Sequence, residues 1–161
     1  MAIANNARNV SYGKPKYGGV AYRAPIGTPL PTTPDEPLDS AFENVGYLNQ
    51  DGISLATDSS TASITDMGGI TVLTIVTSSS ETYTLVMLET NERAAKARFG
   101  DTNVESDQLG NMTITHNGLP TDQSSWVFEI SLTGNRADRL VIPSASISEA
   151  AEITYNLSDA K

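Results

Sequence analysis

The chain has 161 residues, a formal net charge of −9 and no cysteine. That length suits one domain with chain to spare for arms or loops, and the missing thiol excludes disulfides, thiolate metal sites and Cys-based catalysis. The acidic balance speaks against sequence-specific DNA binding, which needs clustered Lys and Arg on phosphates.

Residues 1–6 lack the apolar core of a signal peptide, and the longest apolar run, near Val72 to Val76, is far too short to cross a membrane. A soluble chain made in the cytosol is expected. Thr and Ser alternate with Val, Ile and Leu, which favours β structure with one face of each sheet wet. Up to Pro34 the chain carries Arg8, Lys14, Lys16 and Arg23 and no acid, whereas every acid lies from Asp35 onward. Residues 18–40 hold Pro25, Pro29, Pro31, Pro34 and Pro37, each fixing its own φ and biasing its predecessor to extended geometry. The expectation is an extended basic arm over 1–40 and a β domain over 41–161. Val20, Tyr22, Arg23, Ile26 and Leu30 would be the arm's contacts with another copy of the chain, weakened by salt. Removing residues 1–40 would then leave the domain folded.

Asn44 to Leu48 reads as a short strand, and Gln50-Asp51-Gly52 as a turn. Residues 54–69, rich in Ser, Thr and Asp, read as a long exposed loop or an irregular hairpin. Ile70 to Thr77 and Glu81 to Met87 read as a hairpin turning at Ser78-Ser79-Ser80, apolar on both faces. Glu89 to Phe99 is the one predicted helix, with Gly100 as its C-cap glycine, the pairs Glu89–Arg93 and Glu92–Lys96, and an apolar stripe of Leu88, Ala95 and Phe99. Asn111 to His116 alternates as a strand. In Ser125 to Thr133 the residues Trp126, Phe128, Ile130 and Leu132 share one face and, with Phe99, make the expected core. Gly134-Asn135 marks a hairpin turn. Asp138 to Ile142 returns, Pro143 ends or bends that strand, and Ile147 to Tyr155 reads as a last strand. The fold class is mainly β with one flanking helix, as two packed antiparallel sheets in a sandwich or barrel.

Catalytic chemistry finds little to use. His116 is the only histidine, and at the end of an alternating strand it has no evident orienting partner. Asp101, Glu105 and Asp107 lack the fixed offsets and central glycine of a calcium loop. No phosphate-cradling glycine motif and no nucleophile elbow is present. The expectation is no enzyme, no metal and no cofactor, which moves the weight to assembly.

The run Gly19-Val20-Ala21-Tyr22-Arg23-Ala24-Pro25-Ile26-Gly27-Thr28-Pro29-Leu30-Pro31-Thr32 resembles the start of the major tail tube proteins of long-tailed phages, particularly those of actinobacterial hosts. So does Gly46-Tyr47-Leu48-Asn49-Gln50-Asp51-Gly52-Ile53. The order of the later pieces is also similar: the two-sided hairpin, the helix ending Phe99-Gly100, the Trp126 strand, and Leu140-Val141-Ile142-Pro143 leading to Glu152-Ile153-Thr154-Tyr155. The resemblance implies hexameric rings stacked into a hollow tube in the virion tail. A hairpin from each subunit would line the lumen, with Thr71, Thr74, Thr77, Thr82 and Thr84 as its uncharged polar positions. The arm would reach the next ring, and tape-measure and terminator proteins would be partners. DNA would pass without specific binding, and no membrane would be involved. The family usually carries one more strand after the Ile-Thr-Tyr position. The runner-up readings are a β-sandwich binding module, such as a virion decoration or adhesin domain, and a secretion-system tube protein.

Overall fold

The computed structural model describes residues 6, 7, 10–16, 19–107, 109–118, 121–134 and 136–153. It is mainly β with one helix and antiparallel sheets, as expected. Its contacts divide the chain into two compact units, residues 1–48 with 87–161, and residues 49–86. The division does not fall after residue 40.

The first unit is built on a five-stranded sheet of β1 (Gly13–Pro15), β2 (Ala21–Pro25), β3 (Glu43–Asn44), β8 (Ser124–Leu132) and β9 (Arg136–Ala145). β8 is its centre. β9 lines one edge of β8 along its length, while the other edge pairs with β2 over residues 124–128 and with β1 over residues 130–132. β3 closes the sheet beyond β2. Ser124 through Glu129 are all buried. Both faces of this stretch are therefore covered, not only the face bearing Trp126 and Phe128. Val127, on the opposite face, is the best-buried of the three, at 0% exposure. Ile130 and Leu132, expected at the centre of the core, are half-buried. Trp126 and Phe128 stand 6.2 Å apart, ring centre to ring centre.

The Val127 face packs against residues from within 1–40. Ala24, Phe42 and Val127 form a buried cluster on which Tyr22, Leu30, Leu38 and Val141 pack. Ala21 and Ala24 are buried in β2, where a larger side chain would meet the close-packed neighbours of a central strand. Residues 1–40 supply one paired edge of β8 and Tyr22, Ala24, Leu30 and Leu38 of this cluster. Residues 10–25 also explain the reading: a basic, proline-bearing sequence resembles a tail until β8 supplies its hydrogen-bond partner.

Helix α1 spans Glu92–Phe99. It starts at Asn91, not at Glu89 or Thr90, because the Asn91 side chain accepts from the Ala94 N–H at 2.7 Å and satisfies one free first-turn donor. The Glu92–Lys96 pair forms at 2.5 Å and Gly100 (φ +93) caps the end through its N–H to Lys96. Glu89 lies outside the helix, so it has no i,i+4 geometry with Arg93. The buried positions are Ala94 and Ala97, and Leu88 is half-exposed. The helix contacts the small antiparallel pair of β6 (Val104–Ser106) and β7 (Met112–Ile114). Phe99 is half-buried, edge-on to His116 with ring centres 5.2 Å apart. Pro143 does not end β9, which runs on to Ala145: the register with β8 slips between Ser124 and Trp126, and the missing N–H of Pro143 falls at that irregularity. Residues 146–153 form no strand; Thr154 and Tyr155 lie outside the described residues.

The second unit is a hairpin. β4 runs Leu48–Thr65 and β5 runs Thr71–Met87. The loop expected over 54–69 is strand up to Thr65, and the turn lies at residues 66–70, not at Ser78-Ser79-Ser80. Ser, Thr and Asp made 54–65 look like a loop, yet β-branched Thr and alternating Ala and Ile are compatible with a wet strand. The serines at 78–80 lack the positive-φ residues a tight turn needs, whereas Gly69 has φ +82.

Candidate assembly surface

The hairpin strands have 18 and 17 residues, about 55 Å of extended chain. Two strands alone are marginal in water, and this pair carries many unburied apolar side chains. Leu55, Leu73, Ile75, Val72 and Val76 are between 46% and 66% exposed. β4 and β5 pair only with each other among the described residues, so each leaves a free edge of backbone donors and acceptors, a template for another chain. The turn is fixed rather than floppy. Asp66 accepts from the N–H groups of Gly68 at 2.9 Å and Ile70 at 2.8 Å, and its own N–H donates to the Ile70 carbonyl. Met67 stands fully exposed at the tip.

Charge distinguishes the hairpin from the rest of the chain. Residues 49–86 contain Asp51, Asp58, Asp66 and Glu81 and no Lys or Arg, so all ten cations lie outside it. Side chains alternate faces along a strand. The threonines expected at the lumen therefore divide: Thr74, Thr82 and Thr84 fall on one face, Thr71 and Thr77 on the other. Ser63 and Thr74 hydroxyls lie 3.2 Å apart on the first face, and the Thr77 hydroxyl donates to the Ser60 carbonyl at 3.1 Å.

The chain around the hairpin's two ends is held by Glu89. Its carboxylate accepts from the Tyr47 N–H at 2.8 Å and from the Asn91 side chain at 2.7 Å, and the Leu88 N–H donates to the Tyr47 carbonyl at 2.9 Å. Gly46 has φ +106, and a Cβ there would lie 2.5 Å from the Glu89 carboxyl carbon. Only glycine satisfies both the backbone angle and the close approach. No reading of the sequence alone singled out Glu89 for this work; the Gly46-Tyr47 pair was the available signal.

Of the arm residues, Val20, Tyr22 and Leu30 are half-buried in the first unit, and Ile26 is 51% exposed. Arg23 reaches Asp101 with both terminal nitrogens, at 2.7 and 3.0 Å, and Ser124 at 2.9 Å. Such a forked contact fixes orientation as well as charge. Asp101 is thus a partner of Arg23, and Asp107 closes a turn by accepting from the Leu109 and Asn111 N–H groups. No group of three or more potential metal ligands occurs among the described residues.

The segment 33–38 is pinned to the sheet. Arg139 donates to the carbonyls of Thr33 at 2.6 Å and Glu36 at 2.7 Å and pairs with Glu129. Lys16 meets the other Glu129 oxygen at 2.8 Å. These groups edge a cleft of about 430 Å³ with Tyr22 and Pro34 to Leu38. Burial, the largest influence on Glu129, pushes its carboxyl up, but Lys16 and Arg139 outweigh it and hold it below the ordinary value. Burial, and then the Glu129 charge, pushes the Tyr22 phenol up.

A β body whose polar groups are spent on fastening its own segments, and a long hairpin left unpartnered, define a structural building block. The chain matches the phage tail tube protein family over residues 4–161 and belongs to it. It is a structural component of a phage tail, and its family is not one of enzymes. No curated protein and no solved structure matches the chain.

Proposed function

We propose that copies of this chain close into rings, six to a ring as the resemblance implies, that stack into the hollow tail tube through which DNA leaves the virion. The hairpin is the observation that carries this reading. Its edges are free, its apolar side chains are exposed, and it has no cation to hold a phosphate. Pairing hairpin to hairpin around a closed ring would remove the free edges of β4 and β5 and bury apolar surface that the single chain leaves in water. The acidic hairpin would repel, not retain, passing DNA.

Ile26, the one of these five named residues left plainly exposed, is then the arm's contact with the next ring; Val20, Tyr22, Arg23 and Leu30 support it from within their own unit. Tape-measure and terminator proteins would meet the tube's lumen and end, and synthesis would be in the host cytoplasm. Purified protein concentrated and viewed by negative-stain microscopy should show rings or tubes with a central channel. Protein that stays monomeric at all concentrations and salt conditions would instead favour a β-sandwich binding module.

A further inference from the structure

Asn117-Gly118 is the only Asn-Gly pair in the chain. It lies past the end of β7, outside any helix or strand, and both residues are exposed. Gly118 has φ +69, and the space that a Cβ would occupy there is open. Among the described residues its N–H has no hydrogen-bond partner. The Asn117 carboxamide, by contrast, is held. Its Nδ2 donates to Asn103 Oδ1 at 2.9 Å, and Asn103 Nδ2 faces its Oδ1 at 3.5 Å. Asn103 is itself anchored: its Nδ2 donates to the Phe99 carbonyl at 2.7 Å, and its own carbonyl accepts from the Thr115 N–H at 2.8 Å.

We propose that Asn117 is a site of spontaneous deamidation and that Asn103 sets its rate. The Gly118 backbone nitrogen gives its proton to water or hydroxide and attacks Asn117 Cγ. The new N–Cγ bond closes a five-membered imide, the Cγ–Nδ2 bond breaks, and Nδ2 takes up a proton and leaves as ammonia. Water then adds to either imide carbonyl and opens the ring to aspartate or isoaspartate. Asparagine is a thermolabile residue, and glycine leaves the attacking nitrogen least hindered because it has no Cβ. Asn44 and Asn103 are each followed by a valine, whose branched Cβ crowds that nitrogen, and the Val45 N–H is spent on the Ala21 carbonyl at 3.1 Å. Asn103 grips the nitrogen that must leave. The Asn117 carboxamide therefore has to let go of Asn103 before Cγ can meet the Gly118 nitrogen, and the folded protein reacts slowly. The product carboxylate cannot donate, so acceptor meets acceptor at Asn103. The tie between the end of β7 and the turn at Asp101–Asn103 is then lost, and an acidic body gains another negative charge. The change is irreversible and needs no enzyme.

Full-length protein aged in mildly alkaline buffer, digested with trypsin and sequenced by mass spectrometry tests both parts. Cleavage after Arg98 and Arg136 leaves Asn103, Asn111 and Asn117 in one peptide, so its fragments compare them directly. Asn117 should turn to acid, as aspartate and isoaspartate, while Asn103 and Asn111 stay amides. Conversion of Asn117 no faster than that of Asn111 overturns the site. Asn103→Ala should raise the Asn117 rate several-fold, and an equal or slower rate overturns the control by Asn103. Should that variant fail to fold, the wild-type chain unfolded in urea supplies the second measurement. Asn117 should convert several-fold faster there than in the folded protein, and equal rates overturn the same control.

Discussion

Arg139 pairs with Glu129 between β9 and β8 at adjacent, register-matched positions. The same guanidinium donates to the Thr33 and Glu36 carbonyls. One buried ion pair therefore locks the central strand to its neighbour and holds down the segment that brings Leu38 to the core.

Breaking this pair should cost more than its net worth. Arg139→Ala would leave Glu129 buried with only Lys16 and release two carbonyls, for about 3–5 kcal/mol. Replacing both partners with apolar residues, Glu129→Leu with Arg139→Met, should recover much of the loss in the sheet, although the Thr33 and Glu36 carbonyls stay unpaired. Urea unfolding measures both. Limited proteolysis should cut at 33–38 in each variant and not in the parent.

Acid should unfold the protein partly through Glu129. Its folded carboxyl lies below the unfolded value, so its contribution is present above the ordinary carboxylate range. That contribution is lost as pH falls through the folded value. Glu36, Glu92 and Asp107 are shifted in the same direction, but at the surface. Glu129→Gln should lower stability at pH 7 and flatten its decline between about pH 6 and pH 3. Denaturation midpoints across that range check it, and an unchanged slope would show that other carboxylates control the acid limb.

Truncation separates the segments before β2. Deleting residues 1–12, which precede β1, should leave the β-type circular dichroism and the cooperative thermal transition intact. Deleting residues 1–40 should abolish that transition, because Ala21, Ala24, Tyr22, Leu30 and Leu38 leave the core with them. A folded, cooperative 41–161 fragment would contradict the placement of β2.

Much was legible before any coordinates. The Trp126 strand, the helix with its Gly100 cap, the Glu92–Lys96 pair and the mainly β class all follow from local rules, since periodicity, capping and i,i+4 spacing act over a few residues. The hairpin was half legible. Its second strand was read as two, broken at Ser78-Ser79-Ser80, and the first was hidden in residues 54–65, where Ser, Thr and Asp suit a loop and a wet strand equally well. Strand pairing alone distinguishes the two.

The sequence by itself determined a β protein with no thiol chemistry, an acidic body, a cation-free stretch from Asn49 to Val86, and a motif order like that of tail tube proteins. Tertiary structure decided where residues 21–42 belong. A proline-rich basic segment has no internal hydrogen-bond partner, so its sequence fits an arm reaching outward as well as a strand folded home. The free edge of β8 and the buried Glu129–Arg139 pair, more than 80 residues further along the chain, settle that choice because they supply the missing partners. They leave the hairpin, with its free edges, as the surface from which a tube can be built.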